Sequence, residues 1–215
     1  MPLPFRVEAQ ETARLPALSD GVVAIAITLL AFDLPVPALP PDADLSTLAA
    51  ALGAVWQDLF GYALSFLVIG LYWVLHRRVF LHLDRHDRGV VWLNLCFLLL
   101  VAFVPYATTV FARYPSGAGV TFYALVLALT GLTLTALWVY ASGRALLEEG
   151  LSSRVVGIQA ARFVASPLVF LASAVLATVS PTWAIASWLL LVPINGVLQS
   201  RLAETLETTA VETGR

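Results

Sequence analysis

Apolar positions in this chain run in long blocks. They do not alternate as in a half-buried strand, nor recur every three or four residues as in a water-facing helix. Six blocks approach the ~20 mostly apolar residues that a helix needs to cross a bilayer's hydrocarbon core. They predict helices over about 16–34, 57–78, 89–112, 118–142, 155–179 and 182–201. The first block is short: its unbroken apolar run is Gly21 to Phe32, and it reaches full length only by extending back through Pro16-Ala17-Leu18-Ser19-Asp20. Pro35, Pro37, Pro40 and Pro41 end it, because proline lacks an amide donor and clashes with the turn before it. Pro115 and Pro181 mark later turns. Pro105, Pro167 and Pro193 fall inside blocks, where neighbours must satisfy the freed carbonyls. The expected fold is all-α: an integral membrane protein with one six-helix domain over 1–215.

Composition agrees. The chain is 60% hydrophobic and 12% charged, about half the charge of a soluble domain. Mean hydropathy is +0.86. A lone cysteine, Cys96, forms no internal disulfide and reads as a small core residue. A net charge of −2 gives no nucleic-acid signature. The segment Met1 to Arg14 carries Arg6, Glu8, Glu11 and Arg14, which is too acidic for a signal-peptide n-region, so the first helix is read as retained.

There is no lysine, and arginine sets the orientation. Arg6 and Arg14 precede the first span. Arg77, Arg78, Arg85 and Arg88 join the second and third. Arg144, Arg154 and Arg162 lie at or near the connection of the fourth and fifth, and Arg201 and Arg215 follow the sixth. Only Arg113 falls on the other side. The arginine-rich face is therefore expected to be cytoplasmic, with both termini on it. The opposite loop carries Asp33, Asp42, Asp44 and Asp58, a field that favours cations.

The first helix departs from plain membrane packing. Ile25, Leu29 and Phe32 share one face, with Leu18, Gly21, Val22 and Thr28 beside it and Asp20 nearly opposite. Ala24, Ala26 and Ala31 permit close helix approach. Such a stripe either packs against helices of the same chain or lines a pore made by several subunits. Periodicity does not choose between the two. Asp20 either sits among headgroups near the helix N-terminus or joins a polar cluster with Arg14, Ser19, His76 and Asn94, which lie at similar membrane depth.

The segment Arg14-Leu15-Pro16-Ala17-Leu18-Ser19-Asp20, leading into Ala24-Ile25-Ala26-Ile27-Thr28-Leu29-Leu30, resembles the first-helix signature of the transmembrane protein 175 family of potassium channels. That signature has an arginine, three residues, Phe-Ser-Asp, then an Ala-Ile-Ala-Ile-Thr-Leu-Leu run. Tyr72-Trp73, His76-Arg77-Arg78, Leu93-Asn94-Leu95 and Val104-Pro105-Tyr106 agree more loosely. Leu18 stands where the family has phenylalanine, which is expected to shift packing and keep the pore. The resemblance implies a homotetramer around one central pore lined by the first helix, conducting potassium ions across the lipid bilayer without a Thr-Val-Gly-Tyr-Gly filter. It implies that Ile25 forms the narrowest ring and Thr28 a hydroxyl layer one turn outward, with Leu29 and a bulky Phe32 continuing to the outer mouth. It also implies that Arg14, Ser19 and Asp20 brace the pore helix from the inside; His76 and Asn94 join that brace by depth. A single repeat of this kind suits a bacterial inner membrane.

Other chemistry is thin. His82 and His86 have metal-ligand spacing but sit among arginines, so a solvated turn is expected and no metal. Glu148-Glu149 and the tail residues Glu204, Glu207 and Glu212 read as solvated ends. No cofactor motif and no nucleophile–base set appears, so an enzyme is not expected; His76 has no nucleophile at a helical spacing. The function expected is a potassium-preferring cation channel, with a secondary transporter for a small cation or solute as the alternative. Asn195-Gly196 in the sixth span is the one polar feature a transporter site would use.

Overall fold

A computed structural model describes residues 8–148 and 150–213, with side chains described over 14–148 and 150–205. Arg6, Glu149, Arg215 and the side chains of Glu8, Glu11, Glu207 and Glu212 lie outside the described residues. The described chain is nearly all helix: α1 Glu8–Phe32, α2 Leu45–Ala54, α3 Trp56–Leu81, α4 Arg88–Arg113, α5 Gly117–Gly143, α6 Ser153–Leu176, α7 Pro181–Ser187 and α8 Leu191–Thr213. Six of the resulting segments are long and apolar enough to span a membrane.

Three boundaries differ from those the apolar blocks predict. First, α1 begins at Glu8, not near Pro16. Second, the outer connection holds a helix of its own, α2, capped by the Asp44 side chain accepting from the Thr47 amide at 2.8 Å. Its ten residues are too few to span, so span counting passes over it. Third, the sixth span is not continuous. A 3-10 turn over Trp188–Leu190 separates α7 from α8. The cause is Pro193, which removes an amide and crowds the carbonyl one turn earlier, where the turn tightens. Trp188 pins that break: its indole donates to Ser173 Oγ at 2.6 Å, and its ring meets Phe111, Tyr123 and Phe170.

The most enclosed element is α5, packed between α4 and α6. It buries Tyr123, Leu127, Leu134 and Trp138 and presents Ala124, Ala128 and Gly131 where neighbours come close. At Gly131 a Cβ would lie 2.9 Å from Pro167 Cδ and 3.0 Å from the Tyr72 hydroxyl, so α3, α5 and α6 meet there only around glycine. Among the described residues most buried hydroxyls are paired inside the protein, as a lipid environment favours. Ser65 Oγ bonds Thr108 Oγ1 at 2.7 Å and the Tyr123 hydroxyl at 2.8 Å. Cys96 is exposed on the side of α4 and does not serve as core, because the buried stripe of α4 runs through Asn94, Phe97, Leu98 and Val101.

The α3–α4 and α5–α6 connections share one end of the bundle. Leu83 and Leu147 form a short antiparallel bridge, and Asp84 and Glu148 close it through backbone bonds to Leu146 and His82. His82 Nδ1 lies 2.7 Å from Glu148 Oε1, so this glutamate is a partner rather than a free solvated end.

Asp87 is a second tie at that end. It caps α4 by accepting from the Val90 amide at 3.0 Å and accepts from the Tyr140 hydroxyl at 2.8 Å. The Val90 amide first, then the Tyr140 hydroxyl, hold its carboxyl below the ordinary 3.8. The folded pKa is the lower one, so the stabilisation is full above about pH 4 and fades as pH falls through the folded value. Thermal unfolding followed from pH 6 to pH 3 should show a steeper acid-side loss in the native protein than in Asp87→Asn, which keeps a capping oxygen without the charge.

Candidate functional site: the first helix and its brace

One face of α1 is committed to the protomer. Ser19, Val23, Ala26 and Leu30 recur every three to four residues, are buried, and pack on α3 and α4. Leu18, Ile25, Leu29 and Phe32 lie about a third of a turn away and are exposed, Ile25 at 60% and Phe32 at 84%. Thr28 is exposed beside them; its hydroxyl donates to the Ile25 carbonyl at 2.9 Å. That bond uses the proton and leaves oxygen lone pairs directed away from the helix.

Polar contacts fix this rotation. Asn94, wholly buried on α4, donates through Nδ2 to Ser19 Oγ at 3.1 Å. Ser19 in turn donates to the Leu15 carbonyl at 2.9 Å. Asn94 Oδ1 lies 2.7 Å from His76 Nε2, so with the amide oriented this way the imidazole donates from Nε2. The His76 ring is stacked on Phe97 at 5.0 Å and sits 4.6 Å from Phe80, which leaves it one orientation.

Of the five residues expected in the brace, Ser19, His76 and Asn94 come together. Asp20 does not join them. Its Oδ1 accepts from Trp73 Nε1 at 2.7 Å, a charge-assisted bond on the flank of α1 that faces α3. Arg14 is exposed and forms no ion pair among the described residues. The physical reason is spacing: Trp73 and His76 stand three residues apart on one face of α3. Trp73 meets Asp20 directly, while His76 is joined to Ser19 through Asn94. Trp73 is the contact to the first helix that depth matching missed; the signal available was its place beside Tyr72, one turn before His76.

The remaining polar candidates separate from this site. His82 is taken by Glu148, and among the described residues no three side chains of metal-binding type converge. Asn195 Nδ2 donates to the Leu191 carbonyl of its own helix at 2.8 Å. At the acidic end, Asp33 and Asp58 line one small cavity with Tyr62, and Thr109 donates to Asp33 at 3.2 Å. Arg162, at the end of the predicted 155–179 span that adjoins its connection, is buried within α6.

Asn94 joins three helices, so its removal should show. Asn94→Leu leaves the His76 N–H and the Ser19 hydroxyl buried without that partner, a cost of about 1–3 kcal/mol. The expected result is a lower melting temperature in detergent, partly recovered when His76→Phe is added, because the stranded donor is then gone. Scanning fluorimetry of the two variants checks it.

Residues 14–105, which hold the whole brace, match the family described as endosomal/lysosomal potassium channel TMEM175. A potassium channel of Streptomyces collinus is 43% identical over 133 residues, covering 60% of this chain and 63% of that protein's length. A potassium channel of Chamaesiphon minutus is 33% identical over 139 residues, covering 63% of this chain and 68% of that one. The crystal structure of a lysosomal potassium-selective channel TMEM175 homolog from Chamaesiphon minutus matches with a TM-score of 0.75 at 26% identity, covering 88% of this chain and 98% of that chain. With the six spans and the braced first helix, these matches lead to one conclusion: the chain is a multi-pass membrane protein belonging to the TMEM175 family.

Proposed function

We propose that this chain is a potassium-preferring cation channel, a homotetramer whose pore is lined by α1 through Ile25, Thr28, Leu29 and Phe32. The observation that carries this reading is the division of α1 into a pinned face and a bare one. A helix that merely faced lipid would need no fixed rotation. Here two buried or charge-assisted polar contacts set it, through Asn94 and through Trp73. A closed ring of four copies would then place the bare stripe on the symmetry axis. The names of the relatives, potassium channels and a potassium-selective channel, support the ion.

Four Ile25 side chains around an axis form a dry neck, which an ion enters only after shedding water. Nothing in an aliphatic ring replaces that water, so the barrier is set by dehydration, which costs less for a large monovalent cation than for a small one. The Thr28 oxygen is the nearest dipole able to offset the loss. Discrimination is therefore modest. The arginine-rich end faces the cytoplasm of a cell inner membrane, and the acidic Asp33–Asp58 end gathers cations at the outer mouth. A transporter would use the broken sixth span, but Trp188 occupies that break and is bonded to Ser173.

Native mass spectrometry should give four times the protomer mass, and a monomer that conducts would overturn the ring. In bilayer recordings with asymmetric potassium and sodium, Ile25→Asn should wet the neck, raise conductance and weaken the preference for potassium. Thr28→Ala should lower selectivity with a smaller conductance change. Ile27→Asn, placed about 160° from Leu29, should act on folding and leave permeation alone.

A further inference from the structure

Arg162 is placed where an arginine is costly. It stands about 13 Å along α6 from Ser153, at 1.5 Å per residue, and is only 5% exposed. A guanidinium keeps its charge in proteins and carries five N–H donors. Here Nε has no hydrogen-bond partner, and Nη1 reaches Gln159 Oε1 only at 3.5 Å. Ser166, one turn further along the same face and 1% exposed, also has an unpartnered hydroxyl. Arg78 of α3 lies close enough that the two charges repel each other. Neither arginine takes part in an ion pair among the described residues, where the pairs are His82–Glu148, Arg85–Asp84 and Arg144–Asp87.

Geometry brings the two guanidiniums together. Side chains on a helix lean toward its N-terminus. That direction carries Arg162 toward the arginine-rich end of the bundle, and the bond to Gln159 on the preceding turn agrees. It carries Arg78, on a helix running the opposite way, inward from that end. The two side chains therefore lean toward each other near the arginine-rich end of the bundle.

We propose that this arginine pair, Arg162 and Arg78, with Gln159 and Ser166 on the Arg162 face of α6, binds a phosphate group. Phosphate matches the chemistry in three respects. Its charge offsets two cations that have no carboxylate. Its oxygens accept from the guanidinium fork in pairs. Its acceptors also suit a serine hydroxyl and the Gln159 amide. The headgroup of an anionic phospholipid and free inorganic phosphate share this chemistry, and basic pockets between spans commonly take the former.

The test uses the full chain purified in mild detergent and stripped of lipid, then given phosphatidylglycerol, phosphatidylcholine of the same acyl chains, or sodium phosphate. Native mass spectrometry reads lipid retention, and thermal unfolding reads protection. Phosphatidylglycerol should be retained in preference to phosphatidylcholine and should raise the melting temperature. Arg162→Gln should cut that retention about fivefold, the scale of one arginine's attraction to an anionic headgroup. Arg78→Gln, nearer the surface and the safer variant for folding, should do the same, and Arg162→Lys should fall between. Arg85→Gln, exposed and beside Asp84, should change nothing. Protection by sodium phosphate equal to that by lipid, and lost in Arg162→Gln, would uphold the phosphate site and assign it to the free ion. Equal retention of the two lipids with no protection by phosphate would overturn the proposal, as would unchanged retention in both glutamine variants or an equal loss in Arg85→Gln. None of these readouts depends on conduction, so they stand apart from the channel reading.

Discussion

The rotation of α1 about its own axis depends on one buried amide. Asn94 has two hydrogen-bonding ends, and it spends one on Ser19 of α1 and the other on His76 of α3. In lipid, apolar faces of a helix are nearly interchangeable, because the surrounding chains are as apolar as leucine. A polar contact distinguishes one azimuth from another more sharply than apolar packing does. A small error in azimuth would turn Ile25 off the centre of the bare stripe and put Val22 or Thr28 in its place. Asp20 and Trp73 supply a second constraint on a different flank, so α1 is held at two points around its circumference.

The same logic orders the rest of the bundle. Core apolar residues supply close packing, and the polar bonds between helices fix register. Ser65, Thr108 and Tyr123 join α3, α4 and α5; Trp188 and Ser173 join the broken sixth span to α6; Thr135 reaches the Phe163 carbonyl across the α5–α6 contact. Each is buried, and each would be expensive to leave open in a bilayer. Arg162 stands apart in this scheme, as a buried charge whose bonds inside the described protein are incomplete.

Much of this was legible in the sequence because the bilayer imposes a length. Runs of about 20 apolar residues are hard to mistake, and the arginine distribution separates the two ends. The division of α1 into two faces was also readable, since 100° per residue puts Ile25, Leu29 and Phe32 together whatever surrounds them. What failed had physical causes. The helix α2 is too short for span counting. The 3-10 turn at Trp188–Leu190 lies one turn before Pro193, so the proline's position alone misplaces the break. Depth matching put Asp20 with Asn94, but depth carries no azimuth, and azimuth gives Asp20 to Trp73. The predicted 155–179 span already holds Arg162, with Gln159 and Ser166 at helical spacing from it, but spacing alone does not say that this face is the buried one.

The brace also has a history in time. Ser19 and Asn94 are 75 residues apart, and Asp20 and Trp73 are 53 apart. During synthesis the first helix therefore enters the membrane long before its partners exist. At roughly 5–20 residues per second, Ser19 waits about 4–15 s for Asn94. Over that interval Asp20 has no indole to meet, and the weakly apolar start of α1 gives the helix little hold on the bilayer. Its position is settled when α3 and α4 arrive. A nascent chain halted once Trp73 has entered the membrane and before Asn94 has would thus hold a first helix with its carboxylate already satisfied and its azimuth still free to turn on the Ser19 side.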